Sequence, residues 1–418
     1  MFMSKKYSIL FLITLLSFQL LAQKKTALVL SGGGAKALAH IGVIKALEEK
    51  NIQIDYIVGS SMGALVGAMY ASGMTAEEME LFVTDVDIES WISNSKDPLQ
   101  LYYFMEEDKD ASFINIKFKI DKKGIDYKLP THLISANRLN FELMKLFSTS
   151  CVAANYDFDH LMIPFRCVAT DIDNSELVVL RKGSLCRSVR ASMTFPFYLE
   201  PIRVDNKLLF DGGMIDNFPV ATAIDEFDPD FIIGSKAAGN YDPPDEEDLM
   251  SIIQNMLTTD AEFSTQGKDG FIMELDLPTS DIVDFSRTQA LIDSAYAQTI
   301  IYLESNDDKG EIPKRNNDLT KMRSDFKDRK PELEVSGVYS NFARKKNETY
   351  TRVELKRRKP IDSYRDIEKD YFRLVANPSY KQVQVSLEYD YDKKAYKLVY
   401  HLKKNDPFQI DIGGNISS

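Results

Sequence analysis

Two apolar segments that each run into a glycine-rich turn, and then into a helical stretch, constrain the fold of this chain most strongly. Residues 26–29 are apolar or β-branched and lead into the turn SGGGAK at 31–36, and residues 36–50 then show helical periodicity. Residues 54–58 lead in the same way into the turn GSSMG at 59–63, which an apolar helix follows. Two successive strand–turn–helix units predict an α/β domain built on a mainly parallel sheet.

The rest of the chain divides into the remainder of this domain, a polar stretch and a second unit. We assign residues 24–305 to the α/β domain, whose last helical pattern covers Thr288 to Glu304. Residues 306–330 are charge-rich with little apolar periodicity, which indicates a linker. In the region 331–408, apolar and polar side chains alternate as they do in half-buried strands, and a helical pattern precedes them. This region is expected to form a small α+β module.

The first 23 residues have the features of an export signal. Lys5 and Lys6 precede an apolar run over 7–22, which is short for a membrane span of ~20 residues. We therefore predict cleavage of residues 1–23 and export across the inner membrane to the periplasm, the outer membrane or the cell surface. An uncleaved N-terminal anchor is the alternative.

Charge and cysteine content exclude several classes of protein and site. The formal net charge is −12 and the isoelectric point about 5.0, which argues against a nucleic-acid binder. The three cysteines are odd in number and lack C-x-x-C spacing, so neither a disulfide framework nor a thiolate metal site is expected. They are interpreted as buried small residues. A single disulfide bond between two of them is the alternative if the chain is exported. The cysteines are Cys151, Cys167 and Cys186.

Residues 59–63 fit the pattern G-x-S-x-G, which places a serine at a sharp turn between a strand and a helix. Ser61 would take a strained backbone conformation there, and the small residues Gly59 and Gly63 would prevent clashes. The helix N-terminus that follows favours developing negative charge. Ser61 is therefore the candidate nucleophile, the alternative being a serine that caps the helix.

The turn at 31–36 is interpreted as an oxyanion hole. Its three consecutive glycines let backbone N–H groups point at one small volume, which suits an oxyanion or a phosphate. Their spacing is not the G-x-G-x-x-G of a dinucleotide site, and no G-K-[ST] follows as in a phosphate-binding P-loop. The candidate donors are Gly32, Gly33, Gly34 and Met62. Lys36 is expected either to add positive charge near the site or to be solvated.

No histidine stands where a Ser–His–Asp triad needs one. Only His401 follows Asp211 in the sequence, and it belongs to the other unit. Asp211 ends a strand and begins the turn with Gly212 and Gly213, so its carboxylate is the candidate base acting directly on the serine. The alternative is an ordinary Asp-Gly turn. The four histidines are His40, His132, His160 and His401.

The motifs SGGGAK, GSSMG and DGG occur in the order found in patatin-like phospholipases, and the resemblance covers residues 25–304. The segment RASMTFP, which ends at Pro196, is similar to a segment of that family with a proline near the site. Lys36 stands where arginine is commoner, and Ser60 where threonine is commoner. The resemblance implies a three-layer α/β/α fold and a Ser61–Asp211 dyad that hydrolyses acyl esters of membrane lipids. It implies no metal and no cofactor.

The last eighty residues resemble a POTRA domain, the module that precedes a C-terminal outer-membrane barrel in some patatin-like proteins. Residues 409–418 are then expected to begin the first barrel strand of a truncated chain, and the alternative is a natural, soluble ending. The expected partners are a phospholipid or other acyl lipid and a membrane surface, and a homodimer is left open. The aromatic stretch from Trp91 to Phe104 is interpreted either as a lid or as helix core. The alternative functions are a non-catalytic exported scaffold, and a small-ester esterase or peptidase with the same dyad.

Overall fold

The computed structural model describes residues 24–86, 88–91, 112–121, 124–128, 132–239, 246–247, 255, 260–277, 283–306, 312–341, 361, 363–377, 379–404 and 408–413. The strands are β1 (Thr26–Leu30), β2 (Tyr56–Ser60), β3 (Ser112–Asp121), β4 (Gly124–Lys128), β5 (His132–Ile134), β6 (Phe165–Asp171), β7 (Glu176–Leu180), β8 (Phe197–Leu199), β9 (Ile202–Val204), β10 (Lys207–Asp211), β11 (Phe231–Lys236), β12 (Asp269–Glu274), β13 (Val335–Ser340), β14 (Tyr380–Asp390), β15 (Ala395–Lys404) and β16 (Phe408–Gly413). The α-helices are α1 (His40–Glu49), α2 (Ser61–Ala71), α3 (Ala76–Asp85), α4 (Ile88–Trp91), α5 (Asn137–Ala153), α6 (Leu185–Ser192), α7 (Val220–Phe227), α8 (Thr288–Asn306), α9 (Leu319–Asp328) and α10 (Tyr364–Val375). Short 3₁₀ turns cover Gly34–Ala39, Phe158–His160 and Gly212–Met214.

The central sheet is parallel over most of its width. Within the described residues it has eight strands in the order β12-β11-β1-β2-β6-β10-β9, and β7 pairs with β6. Neighbouring strands from β12 to β6 are parallel. The strands β7, β9 and β10 join by antiparallel pairing. The predicted α/β domain with a mainly parallel sheet is confirmed.

Helices cover both faces of this sheet, which gives three layers. Every residue of β1 is buried, as expected for a strand in a sheet with no solvent-facing side. Leu28 and Leu30 point into a large core that includes residues of α1, α2 and α8. Ala27 and Val29 point to the opposite face, where a smaller cluster includes Phe218 and residues of α7. The alternation along one strand thus places the two helical layers.

The segment expected to be a linker differs from that expectation, because α9 lies within it and packs on the α/β domain. Phe326 is 1% exposed and belongs to the large core, with Leu319 and Met322 packed beside it. Arg323 forms an ion pair with Glu48 of α1. Three apolar residues at helical spacing carry this contact, and the charges around them hide the periodicity in the sequence.

The C-terminal module is a three-stranded sheet with one helix against it. β15 lies between β13, to which it is parallel, and β14, to which it is antiparallel. The predicted alternating strands are confirmed and extend a few residues further at their ends. The core of the module contains residues of α10 together with Phe141 and Met144 of α5, so the module packs directly on the α/β domain. Separately, β16 pairs with β3, which also pairs with β4.

The predicted aromatic stretch and the predicted export signal lie partly or wholly outside the residues that the structure describes. Trp91 is 1% exposed and packs against Phe82, so this end of the aromatic stretch is core. Residues 92–104, and the predicted export signal at 1–23, lie outside the described residues. In the part of the chain that the structure describes, no helix combines the length and apolar character needed to cross a membrane.

The three cysteines are free thiols in this structure. Cys151 and Cys167 are buried, as interpreted from the sequence, and Cys186 is half-buried. Burial raises the pKa of the Cys151 thiol to about 12, so this side chain is neutral at physiological pH.

Candidate active site

The ends of two strands meet on one edge of β6 and bring Ser61 and Asp211 together. β2 runs parallel to β6 and ends where Ser60 pairs with Val168. β10 runs antiparallel to β6 and ends where Asp211 pairs with Ala169, the next residue. The other edge of β6 is occupied by β7. The two strands therefore approach each other end to end, although 150 residues separate the serine from the aspartate.

Ser61 begins helix α2 directly after β2, in a strained backbone conformation. Its φ is 53°, in the left-handed region that residues with a Cβ atom rarely adopt, whereas Ser60 before it is extended. The Ser61 hydroxyl donates a hydrogen bond of 2.6 Å to Asp211 Oδ2. The Ser61 N–H donates to Ser192 Oγ at 3.0 Å, and that hydroxyl donates to the Val168 carbonyl oxygen at 2.6 Å. Ser192 thus ties the strained turn to β6.

Close backbone contacts around this turn require glycine at two positions. A Cβ atom on Gly63 would lie 2.3 Å from the Ser31 carbonyl oxygen, and one on Gly59 would lie 2.7 Å from the Gly63 carbonyl oxygen. Both distances are far below van der Waals contact, so the two glycines let α2 pack closely on the strand ends beneath it.

The Asp211 carboxylate is buried and oriented from two sides. Its second oxygen, Oδ1, accepts a hydrogen bond of 2.8 Å from the Gly213 N–H. Its own N–H donates to the Thr194 carbonyl oxygen at 2.8 Å, and its carbonyl oxygen accepts from the Thr170 hydroxyl. Burial raises the pKa of Asp211 to about 6, although the bonds from Ser61 and Gly213 act in the opposite direction. The group is thus mostly ionised at neutral pH and basic enough to take a proton.

The glycine-rich turn at 31–36 lies beside Ser61. Gly33 and Gly34 have φ values of 148° and 56°, and the 3₁₀ turn begins at Gly34. The first N–H groups of a helix have no partner within the helix, which leaves those of Gly34 and, at the start of α2, Met62 without an acceptor inside their own helix. The Gly32 N–H instead donates to the Asn217 carbonyl oxygen at 3.0 Å.

Gly32 fills a narrow gap between the nucleophile and the residues that follow Asp211. A Cβ atom on Gly32 would lie 2.2 Å from Asn217 Oδ1 and 3.0 Å from the Cβ atom of Ser61. Gly212 is similarly confined, since its Cβ atom would lie 2.5 Å from the Val168 carbonyl oxygen. Gly212 needs to be glycine because its neighbour is backbone, whereas a Cβ atom at position 32 would displace the Asn217 side chain and lie in tight contact with Ser61.

The described side-chain hydrogen bonds of Ser61 and Asp211 involve neither of the remaining predicted residues, Lys36 and Pro196. Lys36 is partly exposed in the 3₁₀ turn, and Pro196 is buried two residues after Thr194. Arg190, in the same segment, is buried and donates to the Thr194 hydroxyl at 2.5 Å and to the Glu200 carbonyl oxygen at 2.6 Å. This segment therefore supports the backbone that holds Asp211.

Sequence reasoning missed the supporting roles of Ser192, Thr194 and Asn217. Ser192 and Thr194 lie in the segment RASMTFP, which was singled out only for its proline, and Asn217 is six residues beyond Asp211. Small polar residues close to the three motifs were the available signal. The described hydrogen bonds of Ser61 and Asp211 include none to a histidine.

Comparisons with known proteins agree with the motifs. Residues 28–224 match the family model described as patatin-like phospholipase. Human patatin-like phospholipase domain-containing protein 6 is 32% identical over 199 residues, which are 47% of this chain and 12% of that protein. Lysophospholipase NTE1 of Coccidioides immitis is 31% identical over 202 residues, 48% of this chain and 11% of that protein. The chain thus spans about an eighth of the length of these curated relatives.

Two solved structures also align with this chain over part of its length. VipD from Legionella pneumophila aligns with a TM-score of 0.37 and 14% identity, covering 68% of this chain and 67% of that one. ExoU of Pseudomonas aeruginosa, in its complex with SpcU, aligns with a TM-score of 0.34 and 16% identity, covering 68% and 53%. The family match, the motif order and the strand topology together show that residues 28–224 form a domain similar to patatin-like phospholipases.

Proposed function

We propose that the chain is a serine lipid acyl hydrolase of the phospholipase A or lysophospholipase type. The observation that carries the proposal is the 2.6 Å hydrogen bond from Ser61 Oγ to Asp211 Oδ2, made at a strained turn before a helix. The family domain over residues 28–224, and relatives named phospholipase and lysophospholipase, support a lipid ester as the substrate.

In the first half of the proposed reaction, Asp211 accepts the hydroxyl proton of Ser61 while Oγ attacks the acyl carbonyl carbon. The tetrahedral intermediate then expels the alcohol part of the lipid, which takes the proton back from Asp211. An acyl ester on Ser61 results. The pKa of Asp211, which burial raises to about 6, suits a base that works near neutral pH.

The negative charge on the attacked oxygen is assigned to backbone donors. These are the N–H groups of Gly33, Gly34 and Met62, at the first turns of two helical segments whose dipoles favour negative charge. Gly32 is assigned to spacing rather than to donation, because its N–H already binds Asn217.

In the second half, water replaces the alcohol. Asp211 removes a proton from a water molecule, whose oxygen attacks the acyl carbon. The fatty acid leaves, and Ser61 Oγ recovers its proton from Asp211. The proposal uses no metal and no cofactor in either half.

The test is fatty-acid release from mixed phospholipid and lysophospholipid vesicles by the chain from residue 24 onward. Ser61→Ala and Asp211→Asn should each lose release, and only Ser61→Ala should also lose the site of fluorophosphonate labelling. Ser60→Ala is the matched control, since the Ser60 hydroxyl is buried and bonds to no described residue, and it should remain active.

Other outcomes would favour the alternatives. A folded parent that neither releases fatty acid nor is labelled would contradict the hydrolase proposal and favour a scaffold. Labelling of Ser61 with hydrolysis of short water-soluble esters or peptides, but not of vesicles, would favour a small-ester esterase or peptidase.

We also propose that the mature protein acts outside the cytoplasm at a membrane surface, and that residues 331–408 form a POTRA-like module. The basic start and short apolar run of residues 1–23 support export. The three-stranded sheet with α10 against it is compatible with the module. Fractionation of cells that make the native chain tests location, and recovery of the protein in the cytoplasm alone would contradict it.

A further inference from the structure

His40 is a buried histidine that the proposed reaction does not use as a base. It begins helix α1, is fully buried, and lies where the glycine-rich turn meets the end of β11. Its Nδ1 is 2.7 Å from Ser235 Oγ and its Nε2 is 2.9 Å from the Ser31 carbonyl oxygen. Both ring nitrogens therefore have a partner in the protein.

These partners determine which nitrogen carries the proton. A carbonyl oxygen can only accept, so Nε2 is protonated and donates to Ser31, and Nδ1 accepts from the Ser235 hydroxyl. Burial lowers the pKa of His40 to about 4, in agreement with a neutral ring held between a donor and an acceptor. The ring has no lone pair left with which to act as a base.

The bonds of His40 orient the peptide plane that joins Ser31 to Gly32. His40 holds the carbonyl oxygen of this plane, and the Asn217 carbonyl oxygen holds its N–H at 3.0 Å. Since the peptide unit is planar, anchoring both ends determines its orientation. The next residues along the chain are Gly33 and Gly34, whose N–H groups are the proposed oxyanion donors.

Other contacts of Ser31 reinforce the same anchor. The Ser31 N–H donates to the Ser235 carbonyl oxygen at 3.1 Å, and the Ser31 hydroxyl accepts from the Ala237 N–H at 3.0 Å. Ser235 thus binds the turn twice, once through its own backbone and once through the His40 ring. The Ser31 hydroxyl also donates to the Gly32 carbonyl oxygen at 2.9 Å, so the anchor includes the peptide plane that carries the Gly33 N–H.

We propose that His40, supported by Ser235, is a positioning residue that orients the Gly33 and Gly34 N–H groups toward the oxyanion of the acylation step. The inference rests on the proposed hydrolase function. Loss of one oxyanion donor in a serine hydrolase lowers kcat by about 10²–10³-fold. A change in the orientation of the Gly33 and Gly34 N–H groups should likewise lower kcat and leave substrate binding largely unchanged.

The kinetic test compares variants of the mature chain by kcat per fluorophosphonate-labelled serine, which counts only folded, competent sites. His40→Leu should lower kcat about 100-fold with KM changed less than about threefold. His40→Gln, whose amide can still donate to Ser31, should recover to within about tenfold of the parent. His401→Leu is the matched control and should behave as the parent. Full kcat in His40→Leu, or equal loss in the Gln and Leu variants, would overturn the proposal.

Two further measurements keep the result decisive. If His40→Leu does not fold, Ser235→Ala removes a single hydroxyl and should still lower kcat several-fold, and an unchanged kcat would count against the proposal.

Hydrogen–deuterium exchange needs no activity, so it separates this inference from the hydrolase proposal. Exchange over residues 31–36 should quicken in the His40 variants and stay unchanged in the His401 variant. Unchanged exchange would overturn the positioning role even if the parent lacks hydrolase activity.

Discussion

Replacing Asp211 with asparagine is expected to stabilise the folded chain at neutral pH while it abolishes hydrolysis. Burial raises the pKa of Asp211 from 3.8 to about 6, because the charged carboxylate has lost most of its hydration. The folded state therefore favours the neutral carboxyl group, and ionisation at neutral pH costs stability. An asparagine amide is neutral at every pH, and its oxygen can still accept from the Gly213 N–H.

The size of the effect follows from the shift. Each pKa unit is worth about 1.4 kcal/mol, so a rise of about 2 units corresponds to roughly 3 kcal/mol. Because the folded pKa lies above the unfolded one, the contribution of Asp211 to stability is fully present below pH 3.8 and is lost as the pH rises through about 6. Asp211→Asn should thus gain roughly 3 kcal/mol over the parent between about pH 4 and pH 7.

Urea unfolding of the two proteins across this range measures the difference in free energy of unfolding at each pH. Asp390→Asn is the control, because a hydrogen bond from Lys397 lowers the pKa of Asp390 and gives the opposite sign. Its carboxylate stabilises the fold at neutral pH, and that contribution disappears as the pH falls. A difference between the parent and Asp211→Asn that is constant with pH, or that shrinks as the pH rises, would refute the reasoning.

Three other predictions concern activity and packing. For the parent, kcat/KM should fall about tenfold per pH unit below a pKa near 6, because protonated Asp211 cannot act as base, and a flat profile would contradict this role. Gly32→Ala should lower vesicle hydrolysis by about 10- to 100-fold, since its Cβ atom would lie 3.0 Å from the Ser61 Cβ atom and would displace the Asn217 side chain. Gly239→Ala, whose Cβ atom meets no described residue within 4 Å, should keep activity and so control for the added methyl group. Phe326→Ala should lower the free energy of unfolding by about 3–5 kcal/mol, and a change below about 1 kcal/mol would show that α9 is only a linker.

The two strand–turn–helix units could be predicted from the sequence because their signals are local. Apolar runs, glycine turns and helical periodicity lie within a few residues of each other around Ser61. The structure gives the glycines of these motifs a physical reason, since a Cβ atom on Gly63 would lie 2.3 Å from a backbone oxygen. At these positions the glycine that the sequence motif contains is the residue that the tertiary contacts require.

Packing of α9 could not be predicted, because its apolar residues are few and their partners are distant in sequence. Phe326 belongs to a core whose other residues run from Leu28 to Leu303, and Arg323 pairs with Glu48, 275 positions earlier. A window of sequence around residue 326 contains only its charges and three apolar side chains. The contact between α9 and the core can be recognised only in the tertiary structure, where α1 and α2 form part of that core.

The sequence alone determined the classes of element, the candidate nucleophile and the candidate base, because each depends on residue types at short spacing. Only the tertiary structure decided that Ser61 and Asp211 meet, since this follows from β2 and β10 pairing with adjacent residues of β6. It also placed His40 between Ser31 and Ser235, which lie on different elements. Strand register and buried hydrogen bonds join residues far apart in the chain, and no local pattern records which of them will be neighbours.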